Sequence, residues 1–552
     1  MGIKKFLGIL ILTIAFFFSN LCVQAQTVRV GISNQSFSAL DYSDITLFAL
    51  STVYVYDKDT NKELLKLDRE TNFQITLKDG KFTISTDELK KPIKNEGNLL
   101  VVSPTGWLGV NGLKRAGKQA YYRGKFEILK SDRKKDRFYL VNVLDSEEYL
   151  RGVVPNEMPV SFGLQALKAQ TVAARNYVLS PRTKAYKEFD VNDSVASQVY
   201  FGANTEKSLS NQAIAETNGI VALYDWNLIL AQYSSTAGGY TEYYDNVYGD
   251  AKRITKPYLV AVPDNPEIKP LRTQEDVREF YTNTPKGLYD SKSPYFRWSR
   301  EWSKAELEDV LVKNLPKYVG SSNVVPEDKE IKTPKDLQDI IIKKHGISGK
   351  IIEMEIVFKN NKYKVTRELV IRRLFTKDGR ALPSANVYFD KVYSEGLFTK
   401  KELDTITAYG GGFGHGVGMS QYGAGYMATE LKMPYSKILR HYYTDISLAT
   451  MPVVISNAPS QRVATQKFFV TQKSARLVIN NKFQIGKILV NINGKEVMIL
   501  LEKHILPSHK FDAVDISKYL KKGENVITYS YPSEEGNNKE IKVYVELTGE
   551  DE

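Results

Sequence analysis

A short turn that carries one carboxylate between two prolines constrains this chain more than any other stretch. Pro155 and Pro159 flank Glu157, directly after the apolar pair Val153 and Val154. Proline fixes its own φ, and Pro159 also disfavours helical ψ in the residue before it. We therefore expect a strand that ends in a stiff turn, which aims the side chain of Glu157 in one direction.

A buried helix is predicted after this turn. Ser161 is placed to cap its N-terminus, and Pro181 ends it. One face carries residues at helical spacing, namely Leu164, Leu167, Thr171, Ala174 and Val178. The local pattern alone leaves two interpretations of Glu157 open, a solvated turn residue and a functional acid.

The N-terminus is typical of a signal peptide. Two lysines precede an apolar run from Phe6 to Phe18, and Ala25 offers a small residue for cleavage. We expect residues 1–25 to be removed and the protein to be exported, although retention as an N-terminal anchor stays open. Cys22 is the only cysteine, so the exported chain is expected to carry no disulfide.

The length and the net charge limit the number of domains and the kinds of partner that we expect. A chain of 552 residues is long enough for two or three domains. Its formal net charge of +12 falls to +10 without the two lysines of residues 1–25, and a basic exported protein is attracted to anionic wall polymers. No nucleic-acid-binding pattern accompanies this charge. No later apolar run reaches the roughly 20 residues of a membrane span.

Two loops predict ligand contact. The first, Tyr233–Glu242, combines small hydroxyl residues with paired glycines after an expected strand, and a plain turn is the alternative. The second, Tyr409–Ala424, has six glycines between positions 410 and 418, too many for a regular helix or strand. It lacks the ending of a phosphate loop, and Ser420 is not in a serine-hydrolase elbow. We expect its backbone amides to lie within reach of a ligand.

The remaining patterns predict an α+β fold with a separate all-β end. The expected parts are a β-rich opening region (26–146), a core with Glu157 (147–260), an accessory lobe (263–400), the glycine-rich loop and a helix (401–450), and a β-sandwich-like C-terminal domain (452–552). In the opening region, Leu47 to Tyr56 reads as one strand. In the lobe, two helices are predicted. One begins with a capping box at Ser303, and the other is an amphipathic helix between Thr333 and Gly346.

These stretches together resemble the SpoIID/LytB family of cell-wall proteins. The resemblance rests on the Glu157 turn with its Leu-Lys-Ala-Gln helix, on Tyr-Ser-x-x-x-Gly-Gly-x-Thr from Tyr233, and on Gly-x-Gly-Phe-Gly-His-Gly-Val-Gly-Met-Ser-Gln from Gly410. It extends from about Val28 to Tyr443. It implies an extracytoplasmic, wall-associated lytic transglycosylase that cleaves between N-acetylmuramic acid and N-acetylglucosamine in peptidoglycan strands stripped of peptides.

The resemblance also implies roles for single residues. A lytic transglycosylase uses the C6 hydroxyl of its substrate as nucleophile, so one carboxylate serves as acid and then as base, where hydrolases need two. Glu157 takes this role, with a pKa expected above the free value of about 4.3. Arg175 is expected to hold Glu157 or a lactyl carboxylate. Sugar contacts are expected from Tyr233, Ser235, His415 and Gln421, with a structural role as the alternative for His415.

The same sequence also bears on other chemistry. Some SpoIID relatives bind zinc through cysteine and histidine, but the matching positions here are Val191, Ala196 and Ser197, so neither a metal nor another cofactor is expected. A non-catalytic enhancer of a cell-wall amidase is one alternative function. The other is a hydrolytic muramidase that pairs Glu157 with Glu242 or Asp245. Our hypothesis for the C-terminal domain is that it attaches the protein to the cell wall or to sugar.

Overall fold

The structure, a computed structural model, describes residues 26–68, 71–104, 106–181, 186–249, 255–330, 333–395, 401–482, 485–501, 511–532 and 540–549. The predicted signal peptide with Cys22 lies outside these residues. The chain divides into two compact units, unit 1 (Met1–Leu230 with Ser447–Glu552) and unit 2 (Ala231–Ile446). Among the described helices, none combines the length and the apolar character needed to span a bilayer.

Unit 1 begins with strands whose side chains alternate between buried and exposed. In the strand Asn72–Lys78, for example, Phe73, Ile75 and Leu77 are buried and their neighbours are not, as the two-residue period of a half-buried strand requires. The strands are β1 (Thr27–Gly31), β2 (Asp41–Tyr42), β3 (Asp44–Ala49), β4 (Val53–Asp57), β5 (Glu63–Leu67), β6 (Asn72–Lys78), β7 (Lys81–Ser85), β8 (Ile93–Asn95), β9 (Leu99–Val102), β10 (Leu108–Arg115), β11 (Lys118–Tyr122), β12 (Lys125–Lys130) and β13 (Phe138–Asp145).

These strands form two sheets. One has the order β11-β10-β3-β6-β7-β8, and the other holds β1, β13, β12, β9, β4 and β5 in that order, with β2 beside β13. Aromatic rings join the sheets, since Phe82 lies 5.6 Å from Phe138 and Tyr122 lies 5.5 Å from Phe126. The single strand predicted from Leu47 to Tyr56 is wrong, because β3 and β4 belong to different sheets.

The core that follows contains three helices and three short strands: α1 (Ser146–Glu157), α2 (Gly163–Leu179), β14 (Val191–Asn192), α3 (Ser208–Glu216), β15 (Ile220–Tyr224) and β16 (Asn227–Leu228). The predicted buried helix is confirmed as α2, in which nearly every residue from Ala166 to Val178 is buried. Ser161 does not cap it. Residues Val160–Phe162 form a 3-10 turn, and α2 starts at Gly163, whose φ of +84° suits glycine.

Unit 2 mixes short sheets and helices: β17 (Tyr233–Ser234), α4 (Tyr244–Val247), α5 (Gln274–Thr282), β18 (Trp298–Ser303), α6 (Lys304–Asn314), β19 (Val324–Pro326), β20 (Leu337–His345), β21 (Ile351–Phe358), β22 (Lys362–Thr366), α7 (Glu368–Leu374), β23 (Thr376–Lys377), β24 (Arg380–Ala381), β25 (Val387–Glu395), β26 (Lys401–Gly410), β27 (Met419–Ser420), α8 (Gln421–Thr429) and α9 (Tyr435–Tyr442). Sheets β18-β26-β25 and β19-β22-β21-β20 pack their apolar faces into one core around Trp302, Leu311 and Ile356.

One helix predicted in unit 2 is confirmed and one is wrong. Ser303 and Glu306 form the predicted capping box at the start of α6. The helix predicted between Thr333 and Gly346 is instead strand β20, which pairs with β21. Its three consecutive isoleucines from Ile340 are β-branched, and branched side chains favour a pleated surface with a partner strand.

The C-terminal part of unit 1 is a sandwich of two sheets, which confirms the predicted fold class. Its strands are β28 (Ser447–Thr450), β29 (Val453–Ser456), β30 (Val463–Val470), β31 (Ala475–Asn480), β32 (Lys487–Ile492), β33 (Lys495–Leu500), β34 (Phe511–Asp515), β35 (Gly523–Ser530) and β36 (Glu540–Leu547). Sheet β30-β35-β32-β33 packs on a sheet of order β16-β15-β28-β36-β31-β34. The second sheet combines strands from both sides of the predicted boundary at residue 451.

A fully buried ion pair crosses unit 1. Arg115, at the end of β10, donates to Asp193 at 2.7 Å, and neither side chain is exposed. Asp193 also accepts hydrogen bonds from the backbone and hydroxyl of Ser33, and Arg115 lies over the ring of Phe37. Burial raises the pKa of Asp193, although the positive charge of Arg115 opposes the rise. Ionised Asp193 therefore depends on its partner.

Removal of this partner should destabilise unit 1. Arg115→Met leaves a buried carboxylate without its cation, which costs about 3–5 kcal/mol of unfolding free energy. The matched control is Lys66→Met, which breaks the exposed pair of Lys66 with Asp68 and should leave the unfolding midpoint close to that of wild type. Urea unfolding followed by circular dichroism measures both. Equal unfolding midpoints for the two variants would contradict the expectation.

Candidate functional site

Glu157 is the last residue of helix α1, not part of a turn after a strand. Asp145 caps this helix by accepting from the amide of Glu147 at 2.8 Å, and the acids of the first turn suit the positive end of the helix. The predicted strand at Val153 and Val154 is therefore wrong. An aspartate followed by Ser-Glu-Glu was the signal for a helix start that could have revealed α1.

The prolines nevertheless fix the end of α1 as expected. Met158, the residue before Pro159, has extended backbone angles of φ −131° and ψ 129°, because proline disfavours helical ψ in its predecessor. Pro155 lies inside the last turn of the helix. The backbone that carries Glu157 is thus held by a helix on one side and a proline on the other.

The carboxylate of Glu157 is half-buried among polar groups. Its Oε1 accepts from the amide of Val199 at 2.6 Å. Burial raises the pKa of Tyr149 well above its usual range, and burial also raises that of Tyr177. In both cases the negative charge of Glu157 adds to the rise. Both phenols therefore stay protonated close to Glu157, and Tyr149 donates to Gln198 at 3.1 Å.

Arg175 does not hold Glu157, contrary to one of its two predicted roles. Its guanidinium donates to both carboxylate oxygens of Glu147, at 2.7 and 2.6 Å, and to the carbonyl of Ile220 at 2.8 Å. The side chain is 1% exposed. Arg175 therefore joins α1, α2 and β15, which positions the helix that carries Glu157.

The two glycine-rich loops of unit 2, far apart in sequence, interlock. Strand β17 pairs in parallel with β27, and Thr236 forms an antiparallel bridge with Phe413. The amide of Phe413 donates to the carbonyl of Thr236 at 2.9 Å, and the reverse bond measures 3.2 Å. All four predicted sugar contacts lie on these paired segments or directly beside them, namely Tyr233, Ser235, His415 and Gln421.

Packing explains the glycines of the second loop. A Cβ on Gly418 would lie 2.1 Å from the carbonyl oxygen of Gln232, and one on Gly412 would lie 2.8 Å from that of Thr236. The amides of Gly412, Phe413 and Gly414 donate to protein carbonyls. From the sequence we expected these amides to lie within reach of a ligand. In the structure they are bonded to the protein. The glycines let two backbones approach closely instead.

Asp290 fastens both loops and was missed by the sequence analysis. Its carboxylate accepts from the amides of Ala237 at 2.6 Å and Gly238 at 2.7 Å, and from the hydroxyl of Ser420. Asp290 is fully buried, and burial raises its pKa. No local pattern distinguishes it, because the partners of its carboxylate are 52 or more residues away in the chain.

His415 is a neutral hydrogen-bonding residue. Burial and the nearby charge of Lys350 lower its pKa to about 3, although a hydrogen bond with the backbone of Tyr233 opposes the shift. Its Nδ1 accepts from the amide of Val417 at 3.0 Å, and its ring lies 5.7 Å from that of Tyr248. At neutral pH it is uncharged, so it cannot supply a proton.

The other predicted contacts differ in accessibility. Tyr233 and Ser235 are half-buried, whereas Gln421 is 8% exposed at the start of α8. The carbonyl of Ser235 accepts from the amide of Tyr422 at 3.1 Å. Tyr233 and Ser235 are therefore better placed to meet a ligand than Gln421.

Glu242 and Asp245, the two possible partners of Glu157 in a hydrolytic mechanism, form hydrogen bonds within unit 2. Glu242 is fully buried and accepts from the hydroxyl of Ser348 at 2.6 Å. Asp245 accepts from the backbone and side chain of Thr255. These bonds suit structural acids better than a base that activates water. Within the described residues, no group of three or more His, Cys, Asp or Glu side chains could hold a metal ion.

Comparison with known proteins places these motifs in a family. Residues 134–224 match the family described as stage II sporulation protein, SpoIID, and residues 243–418 match a domain of unknown function, DUF8618. The chain is 31% identical over 369 residues to the amidase enhancer of Bacillus subtilis (strain 168), which covers 65% of this chain and 48% of that protein. It thus spans about half the length of this relative.

A second relative is covered more completely. Stage II sporulation protein D of Bacillus subtilis (strain 168) is 31% identical over 321 residues, which is 55% of this chain and 74% of that protein. The family match over residues 134–224 includes the Glu157 helix end in unit 1, and the names of both relatives fit the motifs found in the sequence. The chain belongs to the SpoIID/LytB family, and its role is related to the cell wall.

Proposed function

We propose that this protein is an exported, wall-associated lytic transglycosylase that cleaves glycan strands of peptidoglycan after their peptides have been removed. The observation that carries the proposal is the fixed position of Glu157 at the end of α1, half-exposed and beside two protonated phenols. The family resemblance and the net positive charge support an anionic wall polymer as substrate.

The proposed reaction needs only one acid. Glu157 gives its proton to the glycosidic oxygen as the bond between that oxygen and C1 of N-acetylmuramic acid breaks. The C6 hydroxyl of the same sugar then bonds to C1, and its proton returns to Glu157. No water is consumed, and the product carries a 1,6-anhydro end. The carboxylates of Glu242 and Asp245 already accept hydrogen bonds from Ser348 and Thr255, which agrees with this route.

Substrate contacts are proposed for residues of unit 2. Tyr233, Ser235 and neutral His415 present groups that can bond to sugar hydroxyls and acetamido groups. Gln421 is retained as a proposed contact, although its burial makes it the weakest of the set. Arg175 is proposed to act through α1, because its charge is already neutralised by Glu147.

Glu157→Gln tests the mechanism. Glutamine keeps the shape of the side chain but cannot transfer the proton, so the rate should fall by about 100-fold or more. The substrate is glycan treated with an amidase, and mass spectrometry counts ends that lack the mass of one water. Glu148→Gln, on the same helix and partly exposed, is the matched control and should retain activity. Equal release of anhydro ends by both variants would remove Glu157 from the mechanism.

Measurements of stability and of substrate affinity together distinguish a structural role of Arg175 from a substrate contact. Arg175→Met leaves Glu147 without its cation, so the unfolding free energy should fall by about 2–3 kcal/mol, less than for a fully buried pair. Glu147→Gln should destabilise too, and the double variant should cost less than the sum of the two. A raised KM for Arg175→Met with unchanged stability would instead make Arg175 a substrate contact.

The name of the Bacillus relative favours one alternative, an enhancer of a cell-wall amidase. Under this alternative the purified protein releases no anhydro ends from glycan but increases the rate of an amidase mixed with it on intact wall. An amidase assay with wild type and Glu157→Gln separates the two functions. Stimulation that survives the substitution, together with no anhydro product from wild type, would favour the enhancer.

A further inference from the structure

Phe413 is an exposed aromatic residue in a loop that is otherwise packed. It is 39% exposed, although both flanking glycines lie against the Tyr233–Gly239 segment. Its backbone is fixed by two hydrogen bonds with Thr236, and Gly414 donates to the carbonyl of Pro383 at 3.0 Å. The loop therefore holds the ring in solvent at a fixed position.

A second exposed ring supports the first. Tyr295 is 37% exposed, and its ring centroid lies 4.4 Å from that of Phe413 at an interplanar angle of 29°. The carbonyl of Tyr295 accepts from the amide of Gly412 at 2.8 Å, so backbone bonds fix this ring to the same loop. A stacked pair that is already ordered loses little conformational entropy when a ligand binds.

Polar groups adjoin the pair. Ser235 lies next to Thr236, the bridge partner of Phe413, and is half-buried. His415, two residues after Phe413, packs against the 43% exposed Tyr248. The backbones of Phe413 and His415 are at most about 7 Å apart. Rings with flat apolar faces beside hydroxyl and imidazole groups suit a ligand that has apolar faces and polar edges.

We propose that Phe413 and Tyr295 form a stacking platform for one N-acetylated sugar ring of a glycan strand. The identity of this ligand rests on the proposed function. The sugar places its apolar C–H face on the exposed ring, and its hydroxyl and acetamido groups face Ser235 and His415. The two-ring surface is small and bordered by polar groups, whereas a stable protein interface needs a larger apolar patch.

Binding without cleavage tests the platform. All variants are made in the Glu157→Gln background, and the probe is glycan strands released from peptidoglycan by an amidase. Phe413→Ala should weaken binding roughly 5-fold in a co-sedimentation or calorimetric assay, since one aromatic contact is lost. Phe413→Trp should bind like its parent, while Phe413→Leu, which is apolar but not aromatic, should bind like Phe413→Ala. Tyr295→Ala should also weaken binding.

The matched control is Tyr393→Ala, because Tyr393 lies on β25 of the same unit and is 41% exposed. It should bind glycan like its parent, and circular dichroism should show that all variants are folded. Parental binding by Phe413→Ala or Phe413→Leu would overturn the platform. Unchanged glycan binding with lost amidase stimulation would also overturn it and assign the rings to a protein partner.

The outcomes separate this inference from the proposed function. If wild type releases no anhydro ends but glycan binding still depends on Phe413, the platform stands and the transglycosylase fails. If wild type releases anhydro ends and Phe413→Ala binds like its parent, the reverse holds.

Discussion

The buried carboxylate of Asp290 is the interaction on which the glycine-rich part of the molecule depends. It accepts hydrogen bonds from Ala237 and Gly238 in one loop and from Ser420 in the other. Without these acceptors the amides would be buried and unpaired, which is costly in a protein interior. One carboxylate thus accepts hydrogen bonds from both loops and fixes the distance between them. The exposed position of Phe413 follows from this fixed geometry.

A similar division between structural and chemical groups holds around Glu157. Arg175 and Glu147 are paired and join α1 to α2 and β15, while Glu157 keeps a half-exposed carboxylate at the end of the same helix. Arg175 and Glu147 are therefore structural. Two phenols that stay protonated adjoin the carboxylate of Glu157.

Much of the fold could be predicted from local patterns. The strands of the opening region, the capping box at Ser303 and the buried helix after Pro159 each have a signal within a few residues. The predictions failed where tertiary contacts decided the outcome. Residues Leu337–His345 carry a helix-like pattern but pair with β21, and Val153 with Val154 resembles a strand but belongs to a helix capped eight residues earlier at Asp145. The role of Asp290 depends on partners distant in sequence, so no window of sequence could show it.

The parallel pairing of β17 with β27 has a consequence for how this fold can vary. Ser235 and Ser420 contact each other across 185 positions of sequence. The entropy lost on closing such a long segment grows only with the logarithm of its length. The chain between the two strands can therefore gain or lose whole helices and hairpins at little thermodynamic cost, provided that its ends still return to the same two strands. Relatives that share the glycine-rich loops can accordingly differ widely in the domain enclosed between them.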